Sequence, residues 1–168
     1  MKTVFEGRII KVETGTVALP NGEMLAMEVA RHPGGSAVVA FDKEKRVCLL
    51  YQYRVVTDSW LWELPAGKRD DEEPPLETAE RELAEEAGCV AGNWRQLGTL
   101  ISSPGVFDEV IYLYLATELS PVSAQQESHE IFEVHWVPYT EALDWARNGK
   151  INDAKTVAAL FRAEPLVS

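Results

Sequence analysis

Apolar and polar positions divide this 168-residue chain into short segments of two different periods. Residues 4–11 (VFEGRIIK) and 24–31 (MLAMEVAR) have the apolar content of strands, and the Asn21-Gly22 pair between them favours a tight hairpin turn. Val17 and Leu19 are candidates for a further strand in the same section, and His32-Pro33-Gly34-Gly35 breaks the pattern. Residues 36–41 (SAVVAF) and 46–53 (RVCLLYQY) are nearly continuous in apolar residues, which suits strands covered on both faces. Arg54 closes the second run. Residues 60–64 (WLWEL) form another strand, in which alternation puts Trp60 and Trp62 on one face, as core or as a stacking platform for a base. Pro65-Ala66-Gly67 ends it.

The period then changes. Between residues 76 and 87 the apolar positions are Leu76, Ala79, Leu83 and Ala87, steps of three or four that predict a helix with one stripe toward a core. Pro74 and Pro75 suit its first turn, and Gly88 suits a left-handed cap at its end. Residues 94–101 and 109–116 read as strands on either side of Ser102–Asp108, residues 117–129 as a polar loop, and 131–137 as a last strand. Residues 139–148 and 153–163 carry helical periodicity and are separated by Gly149-Lys150-Ile151-Asn152. Strands, one helix, strands and two helices predict an α+β fold, a mixed sheet with helices packed on its faces.

Composition narrows the function classes. The length suits one domain spanning residues 1–168, with residues 33–168 as its main body and 1–32 as an N-terminal β section. That section has little core of its own, so it should pack on the main body or on a second subunit. A net charge of −11 argues against nucleic acid as a partner and requires that any anionic substrate be met by locally placed arginines or by metal. Cys48 and Cys89 stand in apolar contexts without metal-ligand spacing, as in buried thiols of a reducing cytoplasm. The N-terminus has no apolar run suited to a signal peptide, and no apolar stretch reaches 18 residues. The expectation is a soluble, cytoplasmic protein without a membrane partner.

The candidate chemistry sits on the predicted first helix. Glu82, Glu85 and Glu86 are spaced i, i+3 and i+4, so three carboxylates share one face, and Arg81 is the only basic residue between Arg69 and Gly88. Like charges at that spacing are unfavourable unless they remain solvated or a divalent cation joins them. Oxygen-only ligands suit Mg²⁺ or Mn²⁺ rather than zinc.

The wider pattern is Gly67, five residues, Glu73, seven residues, then Arg81-Glu82-Leu83-x-Glu85-Glu86-x-Gly88. It resembles the signature box of the Nudix hydrolases, departing only at Cys89, where an aliphatic residue is usual. The resemblance implies an α/β/α sandwich and a metal-dependent attack of water on a nucleoside diphosphate linked to another group. It implies Glu82 and Glu86 as metal ligands with Glu85 beside them, the Ala66 carbonyl as a further ligand, Arg81 as an orienting residue, and Glu73 as a supporting residue of the loop.

Outside the box, Gln52-Tyr53-Arg54, Trp62-Glu63-Leu64-Pro65-Ala66-Gly67 and Ser103-Pro104-Gly105-Val106-Phe107-Asp108-Glu109 resemble segments of the ADP-ribose pyrophosphatase branch. Pro104, 15 residues after Cys89, stands where that branch places a proline. The resemblance spans residues 33–152. It implies cleavage of ADP-ribose to AMP and ribose 5-phosphate with Mg²⁺, the alternatives being other nucleoside diphosphate sugars such as GDP-mannose, or a non-catalytic ADP-ribose sensor. Arg54 is then a candidate diphosphate ligand, Glu109 a candidate for the distal ribose, and Trp62, Pro104 and Gly105 candidate pocket walls. Glu28 and Arg31 would approach the substrate of a partner subunit in a homodimer joined through the N-terminal section. The branch takes its catalytic base from a loop before the last strand, which makes Glu130 the first candidate, with Glu127 and His129 behind it.

Overall fold

Strand β4 (Gly35–Ala40) is buried along its whole length, and its alternation sorts the core into two halves. Val38 and Ala40 face one side, where they meet Ala79 and Leu83 of helix α1 (Pro75–Ala87). Ala37 and Val39 face the other, where they meet Ala142 and Leu143 of α2 (Tyr139–Asn148) and Ala159, Leu160 and Ala163 of α3 (Ala154–Val167). Small and β-branched residues suit a strand buried on both faces, because helices must approach it closely from each side.

The computed structural model of the chain describes residues 1–70, 72–125 and 130–167. The strands before α1 are β1 (Lys2–Glu6), β2 (Lys11–Ala18), β3 (Met24–Arg31), β4, β5 (Arg46–Arg54), β6 (Ser59–Glu63) and β7 (Ala66–Lys68). After α1 come β8 (Cys89–Ile101), β9 (Val110–Pro121) and β10 (Phe132–Pro138), then α2 and α3. A mixed sheet has the order β7-β4-β9-β8, with β4 parallel to β9, and an antiparallel sheet has the order β10-β5-β6. β5 divides its side chains as β4 does: Cys48 and Leu50 face α1, while Val47 and Leu49 face α2 and α3. This is the α/β/α sandwich.

The N-terminal strands form a third, antiparallel sheet of order β1-β2-β3. It joins the main body through the loop after β8. The Ala30 N–H donates to the Val106 carbonyl (2.8 Å), the His32 N–H donates to Asp108 (2.9 Å), and Arg31 pairs with Asp108 at 3.0 Å. Its outer positions Val4, Phe5, Ile9, Met24 and Leu25 are exposed.

Three elements depart from the sequence reading. The strand expected over residues 4–11 is broken by a turn, closed by the Gly7 N–H on the Ile10 carbonyl (2.9 Å), so that β2 begins at Lys11 and takes in Val17. Residues 117–121, expected in a loop, extend β9, because β8 starts at Cys89 and pairs Cys89 with Pro121 and Val90 with Ser120. Such a hairpin extension is stabilised by its ladder, so a polar sequence suffices. Ala66–Lys68, expected as a break, pairs with β4 as a short strand.

Helix α1 ends as its sequence requires. Gly88 adopts φ 61° and ψ 35°, and its N–H closes on the Ala84 carbonyl at 3.2 Å. A side chain there would be strained in the left-handed region and would stand 3.2 Å from the Val122 carbonyl. Gly88→Ala should therefore cost about 1–2 kcal/mol of stability. Urea denaturation checks this, and an unchanged midpoint would mean that the helix end is not so constrained.

Candidate active site

The inward face of α1 carries charge as well as core. Besides Ala79 and Leu83 it buries Glu82 and Glu86, which are 8% and 4% exposed, whereas Leu76 of the expected apolar stripe is 36% exposed. Backbone accommodates both carboxylates. A Cβ on Gly67 would fall 1.8 Å from Glu82 Oε1, so the glycine of the box is what lets that side chain lie against β7. Glu86 Oε2 accepts the Ala66 N–H at 2.8 Å. Arg81 joins the remaining pieces: it donates to Glu82 (2.7 Å), to Glu85 (3.2 Å), to both oxygens of Glu73 (3.1 Å each) and to the Lys68 carbonyl (3.1 Å).

These contacts set unequal proton affinities. Hydrogen bonding from Arg81, assisted by Thr78 and the Asp70 N–H against a burial cost, holds the Glu73 carboxyl down at about 2. Burial pushes Glu82 up to about 7, with Arg81 opposing and Glu85 and Glu130 reinforcing. Burial, then Glu82 and Glu130, push Glu86 well above the ordinary carboxyl value against the Ala66 N–H and Arg54. Among the described residues, no three acidic, histidine or cysteine side chains stand ready-made as a metal cage, and Glu82 and Glu85 each turn an oxygen to Arg81. The donor set still fits a hard divalent cation: it is all carboxylate oxygen, and the buried members repel one another.

Beside the box lies a cleft of about 350 Å³ lined by His32, Arg54, Ser102, Glu109 and Lys155. Gly67 and Lys68 line both this cleft and the recess of about 200 Å³ that holds Arg81, Glu82, Glu85 and Glu130. Arg54, Glu109 and Ala66 thus stand around one cavity, and Glu130 stands by the box carboxylates. Arg54 is fixed by a two-point ion pair with Glu63 (2.7 and 2.8 Å), and Lys155 also binds Glu63. Burial works to raise the Glu63 carboxyl, but Arg54 and Lys155 outweigh it and hold it at about 2.

Other expected site residues lie elsewhere. Glu63 points toward Arg54, so alternation turns Trp62 to the α2 side of the sheet. There its ring lies 4.7 Å from Tyr51 and 4.9 Å from each of Trp145 and His135, outside the cleft. Pro104 and Gly105 line a separate apolar cavity of about 450 Å³ beneath Met27 and Val29 of β3. Neighbouring residues of the strand ends face different cavities: Ser102 and Ile111 the cleft, Ile101 and Val110 the apolar one. Arg31 pairs with Glu13 and Asp108 of its own chain, each at 3.0 Å. Glu127 and His129 lie outside the described residues. His32, Lys68, Ser102 and Lys155 were not singled out in the sequence, because isolated polar residues at strand and helix ends carry no periodic signal.

The box, the cleft beside it and the three-layer fold define a class. The chain belongs to the Nudix hydrolase family, whose NUDIX domain model matches residues 30–160. It is 37% identical to a methanol dehydrogenase activator from Bacillus methanolicus over 159 residues, 94% of this chain and 86% of that one. It is 35% identical, with the same shares covered, to an ADP-ribose pyrophosphatase from Bacillus subtilis (strain 168). A crystal structure described as an ADP compounds hydrolase superposes with a TM-score of 0.84 at 27% identity, covering 99% of this chain and 90% of that one.

Two outcomes follow for the site. Gly67→Ala should displace Glu82 and remove turnover while leaving the core strands folded, which activity and circular dichroism measured together will check. Glu63 has its carboxyl lowered from 4.5 to about 2 in the fold, so its stabilising contribution is full above about pH 4.5 and lost as pH falls through 2. The gap in thermal midpoint between wild type and Glu63→Gln should therefore shrink as pH falls from about 5 toward 2. A constant gap would show that the ion pair is not its source.

Proposed function

We propose that this protein is a cytoplasmic, Mg²⁺-dependent hydrolase that cleaves ADP-ribose to AMP and ribose 5-phosphate, with Mn²⁺ able to replace Mg²⁺. The observation that carries the reading is that the box carboxylates and the Arg54 cleft share the Gly67-Lys68 wall, so a diphosphate in the cleft lies beside the carboxylates. The 35% identity to an ADP-ribose pyrophosphatase over 94% of the chain supports that substrate.

Glu82 and Glu86, with Glu85 and the Ala66 carbonyl, would hold the cation. When bound, it screens the diphosphate and polarises the attacked phosphoryl group. The remaining work falls to the chain's own residues. Arg81 fixes the orientation of Glu73, Glu82 and Glu85 through five hydrogen bonds. Arg54, held flat by Glu63, presents a guanidinium to the diphosphate oxygens. Glu109 accepts a hydroxyl of the distal ribose, and Glu130 takes the proton of the attacking water on a carboxylate oxygen.

Residues 33–168 form the catalytic body, and residues 1–32 form the contact surface of a homodimer. Exposed Val4, Phe5, Ile9, Met24 and Leu25 support that surface. Cys48 and Cys89 are free thiols, and no helix among the described residues is long and apolar enough to cross a membrane.

The test is hydrolysis of ADP-ribose, GDP-mannose, UDP-glucose and diadenosine polyphosphates with and without Mg²⁺. Selective release of AMP from ADP-ribose is expected; preference for GDP-mannose would reassign the substrate and keep the box chemistry. Glu82→Gln and Glu86→Gln should abolish turnover, yet in chelator their thermal midpoints should be no lower than wild type, since each removes a buried repulsion. Glu130→Gln should lower kcat by about 10²–10⁴-fold with ADP-ribose binding retained. Full activity in it would remove Glu130 as the base.

A further inference from the structure

We propose that Lys155 is a substrate-binding residue that holds the diphosphate from the α3 side of the cleft, and that Glu63 positions it together with Arg54. The inference rests on reading the cleft as a nucleoside diphosphate site. Lys155 lines that cleft, and its side chain is 14% exposed. Its ammonium bonds to Glu63 and lies 3.1 Å from Asp153 Oδ1. An ammonium has three protons, so these two carboxylates leave one uncommitted.

Arg54 and Lys155 share Glu63: Arg54 donates to both its oxygens, at 2.7 and 2.8 Å, and the Lys155 ammonium donates to Oε2. Glu63 is 2% exposed and does not line the cleft, whereas Arg54 and Lys155, which it holds, both do. Lys68, which also lines the cleft, bonds to Asp70 and to the Arg69 carbonyl, each at 3.0 Å, and not to Glu63. The start of α3 is also held rigidly. Asp153 accepts from the Thr156 N–H (3.0 Å) and hydroxyl (2.6 Å), and the Thr156 oxygen accepts the Leu64 N–H (2.9 Å). This ties Lys155 to the residue that follows Glu63. Arg54 and Lys155 are thus two cations held in place on the cleft wall by Glu63 and Asp153, each with donor capacity beyond those ion pairs for a diphosphate oxygen.

The experiment measures ADP and AMP binding by calorimetry in Mg²⁺ buffer, with steady-state kinetics on ADP-ribose, for wild type, Lys155→Met and Lys155→Arg. In Lys155→Met, ADP affinity should fall about tenfold or more and AMP affinity much less, with KM for ADP-ribose raised and kcat nearly kept. Lys155→Arg should restore most of the ADP affinity and of the melting temperature, which Lys155→Met will lower by removing one partner of buried Glu63. ADP affinity within about twofold of wild type in Lys155→Met would overturn the proposal. So would equal losses for ADP and AMP, the signature of a structural role. If wild type binds ADP but does not cleave ADP-ribose, the substrate assignment fails while ADP binding still decides Lys155. A wild type that does not bind ADP overturns both.

Discussion

The burial of two glutamates on the inner face of α1 is the constraint around which the rest of this molecule is arranged. Glu82 and Glu86 occupy positions that helix geometry would ordinarily give to aliphatic side chains. Placing them there requires an approach with no Cβ in the way, which Gly67 supplies, and a backbone donor, which Ala66 supplies. It also requires a cation that gathers the neighbouring carboxylates without filling the recess, which is the role of Arg81. The stability to tolerate this comes from elsewhere, chiefly from β4 and β5, whose aliphatic residues are covered on both faces.

A second acidic group shows the opposite electrostatic outcome. Glu63 is as buried as Glu86, yet it is held far more acidic, because it meets two cations where Glu86 meets one backbone N–H and two like charges. The difference separates two functions. A carboxylate saturated by Arg54 and Lys155 serves as a fixed anchor, while carboxylates that repel one another are suited to hold a divalent cation. The cleft lies between these two settings, with Gly67 and Lys68 common to both cavities.

How much of this was legible in sequence varies by element. The helix of the box was readable from its fixed period and its cap, with three carboxylates on one face, while Gly67, Glu73 and the residue roles were read from the family resemblance. The α+β class followed from runs of two periods and the α/β/α layering from the resemblance, and α2 begins and ends where its pattern does. The polar end of β9 was not legible, since its partner in β8 stabilises it through backbone. Alternation put Trp60 and Trp62 on one face, where both lie against Tyr51, but which cavity Trp62, Pro104 and Gly105 would border was not legible. The direction of Trp62 depends on the register of β6 against β5, and that of Pro104 on the docking of the N-terminal sheet over its loop.

The sequence by itself determined which residues can do chemistry here: three carboxylates on one helical face, with an arginine among them. Their spacing lies within a few residues, and local geometry fixes it. Tertiary structure alone decided what shares a cavity with them. Lys155 lies 92 residues from Glu63 and binds it, while Trp62, one residue from Glu63, faces the other side of the sheet. Pleating sends adjacent side chains apart, and packing brings distant ones together, so neighbourhood in the chain carries no information about neighbourhood in the site.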